Sequence, residues 1–331
     1  MAGRVLCIGA QGVLGSLGAR ELASAGWSVV RAGRRPENGD GFRVVDVTRS
    51  ETVVEAMQDV DLAVNFVPHP GALQAALSAG RAVLNVAMLD VSDLRRLRAD
   101  SAEAPGLAVP NAGLAPGVAT LVAADLRATH PEADALELAL SFSARGSSGR
   151  AGAEDVHGAL SARSHHPTRR INLPAPFGPR RYFALGDQGA MWLGMEGDFD
   201  MPFYASFSER LARIPLLAAN ALRLMRALPR ASFTAGRGRL PTEPSREPVC
   251  EWVAVSRGGE LLAAKTIQGE GDYRSTLAAA VVFADALLAR LSSENELRGV
   301  RGVEELFSLE QLEPALREAG IRVEDAPLQG T

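Results

Sequence analysis

Short apolar runs alternate along the first third of the chain with longer stretches whose apolar residues recur at helical spacing. The run Val5, Leu6, Cys7, Ile8 is too short for a helix and suits a parallel strand buried on both faces. It stops at Gly9. Leu14, Leu17, Gly18, Leu22 and Ala23 then keep one face of a helix apolar, and Gly26 ends that helix before a second run from Trp27 to Val30. The rhythm predicts further strands at Phe42–Val45, Asp61–Val67, Ala82–Val86 and Gly106–Val109, separated by helices at Ser50–Met57, Gly71–Ala79 and Val91–Ala99. Such alternation specifies an α/β unit, a doubly wound parallel sheet of the Rossmann type.

Beyond about Ala133 the pattern becomes α+β. Ala135–Phe142, Tyr182–Leu185 and Glu251–Ser256 read as strands of a second sheet, the last entering a hairpin through Gly258-Gly259, and Ala153–Ala162 reads as a helix. Ser208–Leu228 predicts one or two helices with a break at Pro215, and Phe233–Pro248, rich in Gly, Pro and Arg, a loop. A long apolar helix, Thr276–Leu291, and a shorter one, Ser308–Ala319, follow. The expected organisation is a dinucleotide-binding domain, 1–125 completed by 276–331, into which an α+β substrate and dimerisation domain, 126–275, is inserted.

The first turn carries the most chemistry. Gly9, Gly12 and Gly15 form G-x-x-G-x-x-G, with Ala10 and Gln11 where the commoner fingerprint places its middle glycine. Gly9 permits the tight turn, Gly12 lets backbone approach a phosphate, and Gly15 lets the helix press on the sheet. Gln11, Val13 and Leu14 complete the loop and helix start that would face a pyrophosphate. A glycine turn without a ligand, or one serving FAD or S-adenosylmethionine, matches the same pattern. After the second strand, where an NAD site usually has Asp or Glu, the chain has Ala32 and Gly33, then Arg34 and Arg35, with Arg31 just before. Guanidinium pairs suit the 2′-phosphate of NADP(H), so that cofactor is expected ahead of NAD(H), although two arginines opening a loop also read as solvated surface. Ligands of such sheets lie at the carboxyl ends of the strands, which adds Asp46, Val47, Asn65, Val67, Pro68 and Asn85 to the candidate crevice. Asp46 reads equally as a helix cap.

A net charge of −4 and the lack of a polybasic tail speak against a nucleic-acid partner and leave a small molecule. The two cysteines, Cys7 and Cys250, lie in apolar runs with no C-x-x-C spacing, so neither a disulfide framework nor a metal site is expected. With a first strand starting almost at once and no apolar stretch near the roughly 18 residues of a membrane span, a soluble cytoplasmic protein, a homodimer, is the expectation.

Four segments together resemble the saccharopine dehydrogenase-like oxidoreductases along most of the chain. They are GAQGVLGS with the arginines after it, the strand end Asn65-Phe66-Val67-Pro68, the segment VPNAGLAPGVATLVAADL with Gly113 and Pro116-Gly117, and the pair GDYRSTLAAAVVFADALL and GVEELFSLEQLEPALREAGI. The resemblance implies a nicotinamide dinucleotide in the crevice, an inserted α+β domain, a C-terminal helix returning to the nucleotide domain, and reduction of an imine or another polarised double bond. Two departures separate the chain from the family's namesake substrate: Asn85, in VLNVAMLD, stands where many members have Asp, and the proline comes one residue early at Pro68.

Hydride transfer needs an oriented acceptor and a proton. Tyr273, in Gly271-Asp272-Tyr273-Arg274, and His157, on the helix Ala153–Ala162, are the candidates for that proton, against the alternatives of interface packing and a solvated helix face. His165 and His166 are adjacent and diverge, which is poor for chelation. The basic amphipathic stretch from Leu211 to Arg230 reads as a pocket cover or a dimer interface rather than a membrane helix. Two functions stay open: an NADP(H)-dependent reductase acting on a small imine, carbonyl or activated alkene, and a non-catalytic NADP-binding sensor or scaffold.

Overall fold

In a computed structural model the described residues are 3–37, 41–89, 91–143, 150–187, 201–234, 246–294 and 296–327. They form two compact units, one built from residues up to Leu121 together with Thr276–Ala319, the other from residues 122–275 and the segment after Ala319.

In chain order the first unit starts with β1 (Arg4–Ile8), α1 (Val13–Ser24), β2 (Ser28–Gly33), β3 (Arg43–Val44), α2 (Ser50–Ala56), β4 (Leu62–Asn65), α3 (Gly71–Ser78), β5 (Ala82–Asn85), α4 (Val91–Asp100) and β6 (Leu107–Val109), and α5 (Val118–Thr129) leads out of it. The second unit holds β7 (Ala135–Phe142), α6 (Arg150–Ser161), β8 (Thr168–Leu173), β9 (Gly178–Asp187), β10 (Pro202–Phe207), α7 (Arg210–Ala221), the short α8 (Ala231–Thr234), β11 (Pro248–Arg257) and β12 (Glu260–Glu270). The chain then returns through α9 (Asp272–Ser293), β13 (Gly299–Val300), α10 (Val303–Leu306) and α11 (Leu309–Glu318), and closes on β14 (Arg322–Asp325).

The first sheet has the order β13-β6-β5-β4-β1-β2-β3 with every pair parallel. This is the expected doubly wound sheet, extended at one edge by β13. Val5, Leu6, Cys7 and Ile8 on β1, and all of β4, are buried because helices cover both faces. Helix α1 lies unusually close to the sheet: a Cβ on Gly18 would stand 2.3 Å from the Phe66 ring. The chain's order reverses between β1 and β4, so the crevice at their carboxyl ends is the topological switch point.

The second sheet has the order β14-β12-β11-β7-β10-β9-β8. Its strands β8 and β10, and the short β13 and β14, carry little apolar alternation. Neighbouring strands, not local sequence, hold them in place. β14 corrects the expected domain boundary: it pairs with β12 from Gln268↔Arg322 to Lys265↔Asp325, so residues after Ala319 belong to the second unit and not to the nucleotide-type one.

Two further expectations change. Pro215 does not break α7, because the carbonyl it frees, that of Leu211, belongs to an exposed residue and is open to water; the helix ends instead at Leu222-Arg223, where Arg223 takes φ +59°. And α9, at 22 residues with an 18-residue stretch of mean hydropathy 1.5, is long and apolar enough to cross a membrane. Its fit to this unit is that of a core helix: Leu277, Ala280, Phe283, Ala284 and Leu287 are buried, and Asp285 accepts a 2.7 Å hydrogen bond from Trp27 Nε1. The region expected as a loop, Phe233–Pro248, falls mostly outside the described residues.

Candidate functional site

The glycine turn is built as its sequence demands. Gly9 takes φ +86°, which brings the N–H groups of both Gly9 and Ala10 onto the Ala32 carbonyl at 3.0 Å and bends the chain off the sheet. Gly12 is the N-cap of α1. No side chain caps this helix, and its first closed bond runs from Ser16 N to Gly12 O at 2.9 Å, so the N–H groups of the first turn, Val13, Leu14 and Gly15, stand ready for an anion. A Cβ on Gly12 would meet only Gly9 O, at 3.4 Å, and would otherwise project into open space. Gly15 differs. A Cβ there would lie 2.2 Å from Gly9 O, so Gly15 sets the packing of helix on turn. Val67 joins the same place, its Cγ2 2.8 Å from where a Gly9 Cβ would be, with exposed Pro68 beside it. The turn thus brings together Gly9, Gly12, Val13, Leu14, Gly15 and Val67.

Gln11 does something the sequence did not suggest. Its side chain crosses β2 at Gly33, where a Cβ would stand 2.6 Å from Gln11 Oε1 and block the path. Beyond it Nε2 donates to Arg35 O at 2.8 Å, and Oε1 accepts from Arg35 N at 3.3 Å. Gln11 thus holds the main chain of Arg35 at two points. The signal was present in the pairing of an amide at position 11 with glycine at 33. Among the described residues neither the Arg34 nor the Arg35 guanidinium forms an ion pair, and both side chains are exposed. Arg31 is occupied by Glu37 at 2.7 Å and sits over the Phe42 ring, which separates it from the other two.

Three expected crevice residues make hydrogen bonds to the loops around them. Asp46 Oδ1 accepts from Thr48 N at 3.0 Å and Thr48 Oγ1 at 2.8 Å, bonds that hold its carboxyl below the usual range. It is a turn cap. Asn65 and Asn85 are opposite one another in register at the ends of β4 and β5 and are fully buried. Asn65 Nδ2 donates to Asn85 Oδ1 at 2.6 Å and Val67 O at 2.9 Å, while Asn85 Nδ2 donates to Ala87 O. Asn111 continues the row, accepting from Leu89 N at 3.2 Å. These amides pin the loops that follow each strand, and their polar atoms are already used. Val47 is buried, with its carbonyl packed on Gly71.

The proposed proton donors both lie in the second unit. His157 Nε2 is 2.9 Å from Leu228 O and its ring meets Phe233 edge-on at 5.2 Å, which ties α6 to the segment after α7. Tyr273 is half-buried in the first turn of α9, its N–H on Asp272 Oδ1 at 2.8 Å. His166 is a core residue: Nδ1 faces Ala184 O at 2.8 Å and Nε2 faces Leu160 O at 2.7 Å. Both cysteines are buried, and burial pushes each thiol up to about 12, which removes them as nucleophiles near neutral pH.

No protein-family model matches the chain, and no curated protein matches it in sequence. Solved structures do. Saccharopine dehydrogenase (L-Glu forming) from Saccharomyces cerevisiae superposes over 98% of this chain and 100% of its own, with a TM-score of 0.59 at 13% identity. Homospermidine synthase from Legionella pneumophila, solved in complex with NAD, covers 98% of this chain and 91% of its own, with a TM-score of 0.65 at 10% identity. A meso-dapdh variant from Clostridium tetani E88 covers 94% and 96%, with a TM-score of 0.51 at 13% identity. The chain has the saccharopine dehydrogenase fold.

Proposed function

We propose that this chain is an NADP(H)-dependent oxidoreductase that transfers hydride between the nicotinamide and a small imine, carbonyl or activated alkene. The observation that carries the reading is the glycine turn at an uncapped helix N-terminus on the switch point of the first sheet, open where a Gly12 Cβ would stand. The NAD held by the structurally similar homospermidine synthase supports the same class of cofactor. When bound, the cofactor supplies the hydride; the protein's part is to hold it and to deliver a proton.

The choice of NADP(H) rests on Arg34 and Arg35, which form no ion pair among the described residues and follow β2 where Ala32 and Gly33 replace the usual carboxylate, with the Asp46 charge acting on Arg34. Losing a charge-assisted contact to a 2′-phosphate costs about 1.5 to 3 kcal/mol, or roughly ten- to a hundredfold in affinity. Calorimetric titration of the Arg34→Ala/Arg35→Ala protein should show that loss for NADPH and little change for NADH. If wild type prefers NADH, or if both affinities fall together, the arginines are surface charge.

We assign the proton to Tyr273, because the structure commits the His157 ring to a carbonyl within its own unit. Tyr273→Phe keeps the ring and removes the hydroxyl. Turnover against a panel of imines and carbonyls should fall by about 10² with NADPH affinity unchanged. A variant that turns over normally but melts earlier would make Tyr273 a packing residue. Absence of NADPH consumption by wild type across the panel would favour the sensor.

A further inference from the structure

The second unit holds a group of buried polar atoms that the nucleotide reading leaves unused, at the end of the sheet where β7 and β10 terminate. Ser141 on β7 and Ser206 on β10 are register partners there, and Cys250 of β11 pairs with Ser141 from the other side. Tyr182, on β9, is fully buried, yet its hydroxyl makes no hydrogen bond; Ser141 lies near it but outside bonding geometry, and Ser141 Oγ already takes Arg180 Nη1 at 3.3 Å. Arg180 is held in place by its other edge. Its Nε donates to Phe177 O at 3.0 Å and its guanidinium lies over the Phe177 ring.

The chain leaving β10 adds two more such atoms. Ser208 Oγ and Arg213 Nη1 are both buried without a hydrogen-bond partner. Arg213 sits one turn into α7, its N–H on Glu209 O at 3.0 Å, and its charge acts on both Arg180 and Tyr182. The two positive charges repel, and a buried donor left unbonded costs about 1–3 kcal/mol. Among the described residues neither arginine has an ion-pair partner. The carboxylate whose charge Arg180 feels is that of Glu209, whose Oε1 is taken by the Ser143 hydroxyl.

We propose that Arg180, Arg213, Tyr182 and Ser208 form a binding site for a compact oxyanion, the carboxylate or phosphate group of a small ligand. One such group would satisfy the buried donors and separate the two positive charges, which are the two deficits the site shows. Arg180, fixed by Phe177 and Ser141, presents a preformed guanidinium edge, and Tyr182 supplies a neutral donor at low conformational cost. The site is built within the second unit, so it does not depend on the nucleotide reading.

The test is calorimetric titration of the full chain with sodium succinate and, separately, with inorganic phosphate, each against sodium chloride at matched ionic strength. The Arg34→Ala/Arg35→Ala background removes the first unit's arginine pair from the measurement. Saturable binding of either oxyanion is expected, and the one that binds tells which group the site takes. Arg213→Met should weaken it by tenfold or more, and Tyr182→Phe, which leaves the ring in the core, by a smaller factor of about five. Arg223→Met, an exposed arginine just beyond α7, should leave it unchanged. Binding that survives both Arg213→Met and Tyr182→Phe, or no binding of either anion beyond that of chloride, would overturn the proposal.

Discussion

At the scale of single residues, the candidate nucleotide site depends on one side-chain amide. Gln11 holds the Arg35 main chain through two bonds, and glycine at 33 leaves the room for it. Arg34 and Arg35 follow immediately, on a loop that would otherwise sample many conformations. The clasp lowers the entropy cost of fixing two long side chains on a phosphate. Gln11→Ala should therefore act as a weakened form of losing the arginines: NADPH affinity falls by about fivefold to tenfold, NADH affinity stays within twofold, and the melting temperature barely moves. Parallel titrations with the two nucleotides measure this. A loss shared equally by NADH and NADPH would place Gln11 at the pyrophosphate and not at the arginine loop.

At the scale of elements, the interior strand β11 carries an ionisable group with nothing to bond. Glu251 is 2% exposed, between Leu140 of β7 and Ile267 of β12, and neither carboxylate oxygen has a hydrogen-bond partner. Burial pushes its carboxyl up to about 8 from an ordinary 4.5. The folded chain thus keeps a proton that the unfolded chain releases, and folding takes one up between those limits. Stability must fall as pH rises from about 4.5 to about 8 and level off above. Glu251→Gln stays neutral and loses this slope. Thermal melts at pH 5 and pH 8 should show the wild-type midpoint dropping by several degrees more than that of the variant. Equal slopes would mean that Glu251 finds a partner or water on charging. Sequence alternation marked β11 as a strand, but a lone Glu among Val249, Cys250, Trp252 and Val253 gave no sign of its surroundings.

At the scale of the whole molecule, what the sequence revealed followed how local the cause was. The parallel sheet was legible because β1, β2, β4, β5 and β6 contain short apolar runs and each intervening helix has its own stripe and stop. The glycine turn was legible because Gly9 and Gly15 are required by backbone geometry alone. The Asn65–Asn85 bridge and the Gln11 clasp were not legible, since a polar residue at a strand end looks the same whether or not it bonds a neighbouring loop. β13 and β14 were missed because each is held by a distant partner strand with almost no pattern of its own. That distance has a consequence in time. β13 seals the edge of β6 through Gly299↔Leu107 and Val300↔Ala108, partners roughly 190 positions apart, with all of the second unit except the segment after Ala319 threaded between them. On a ribosome adding about 5–20 residues per second, β6 is exposed for roughly ten to forty seconds before its neighbour is even synthesised. Through that interval the growing chain carries an open, apolar sheet edge, a template for pairing with any other exposed strand.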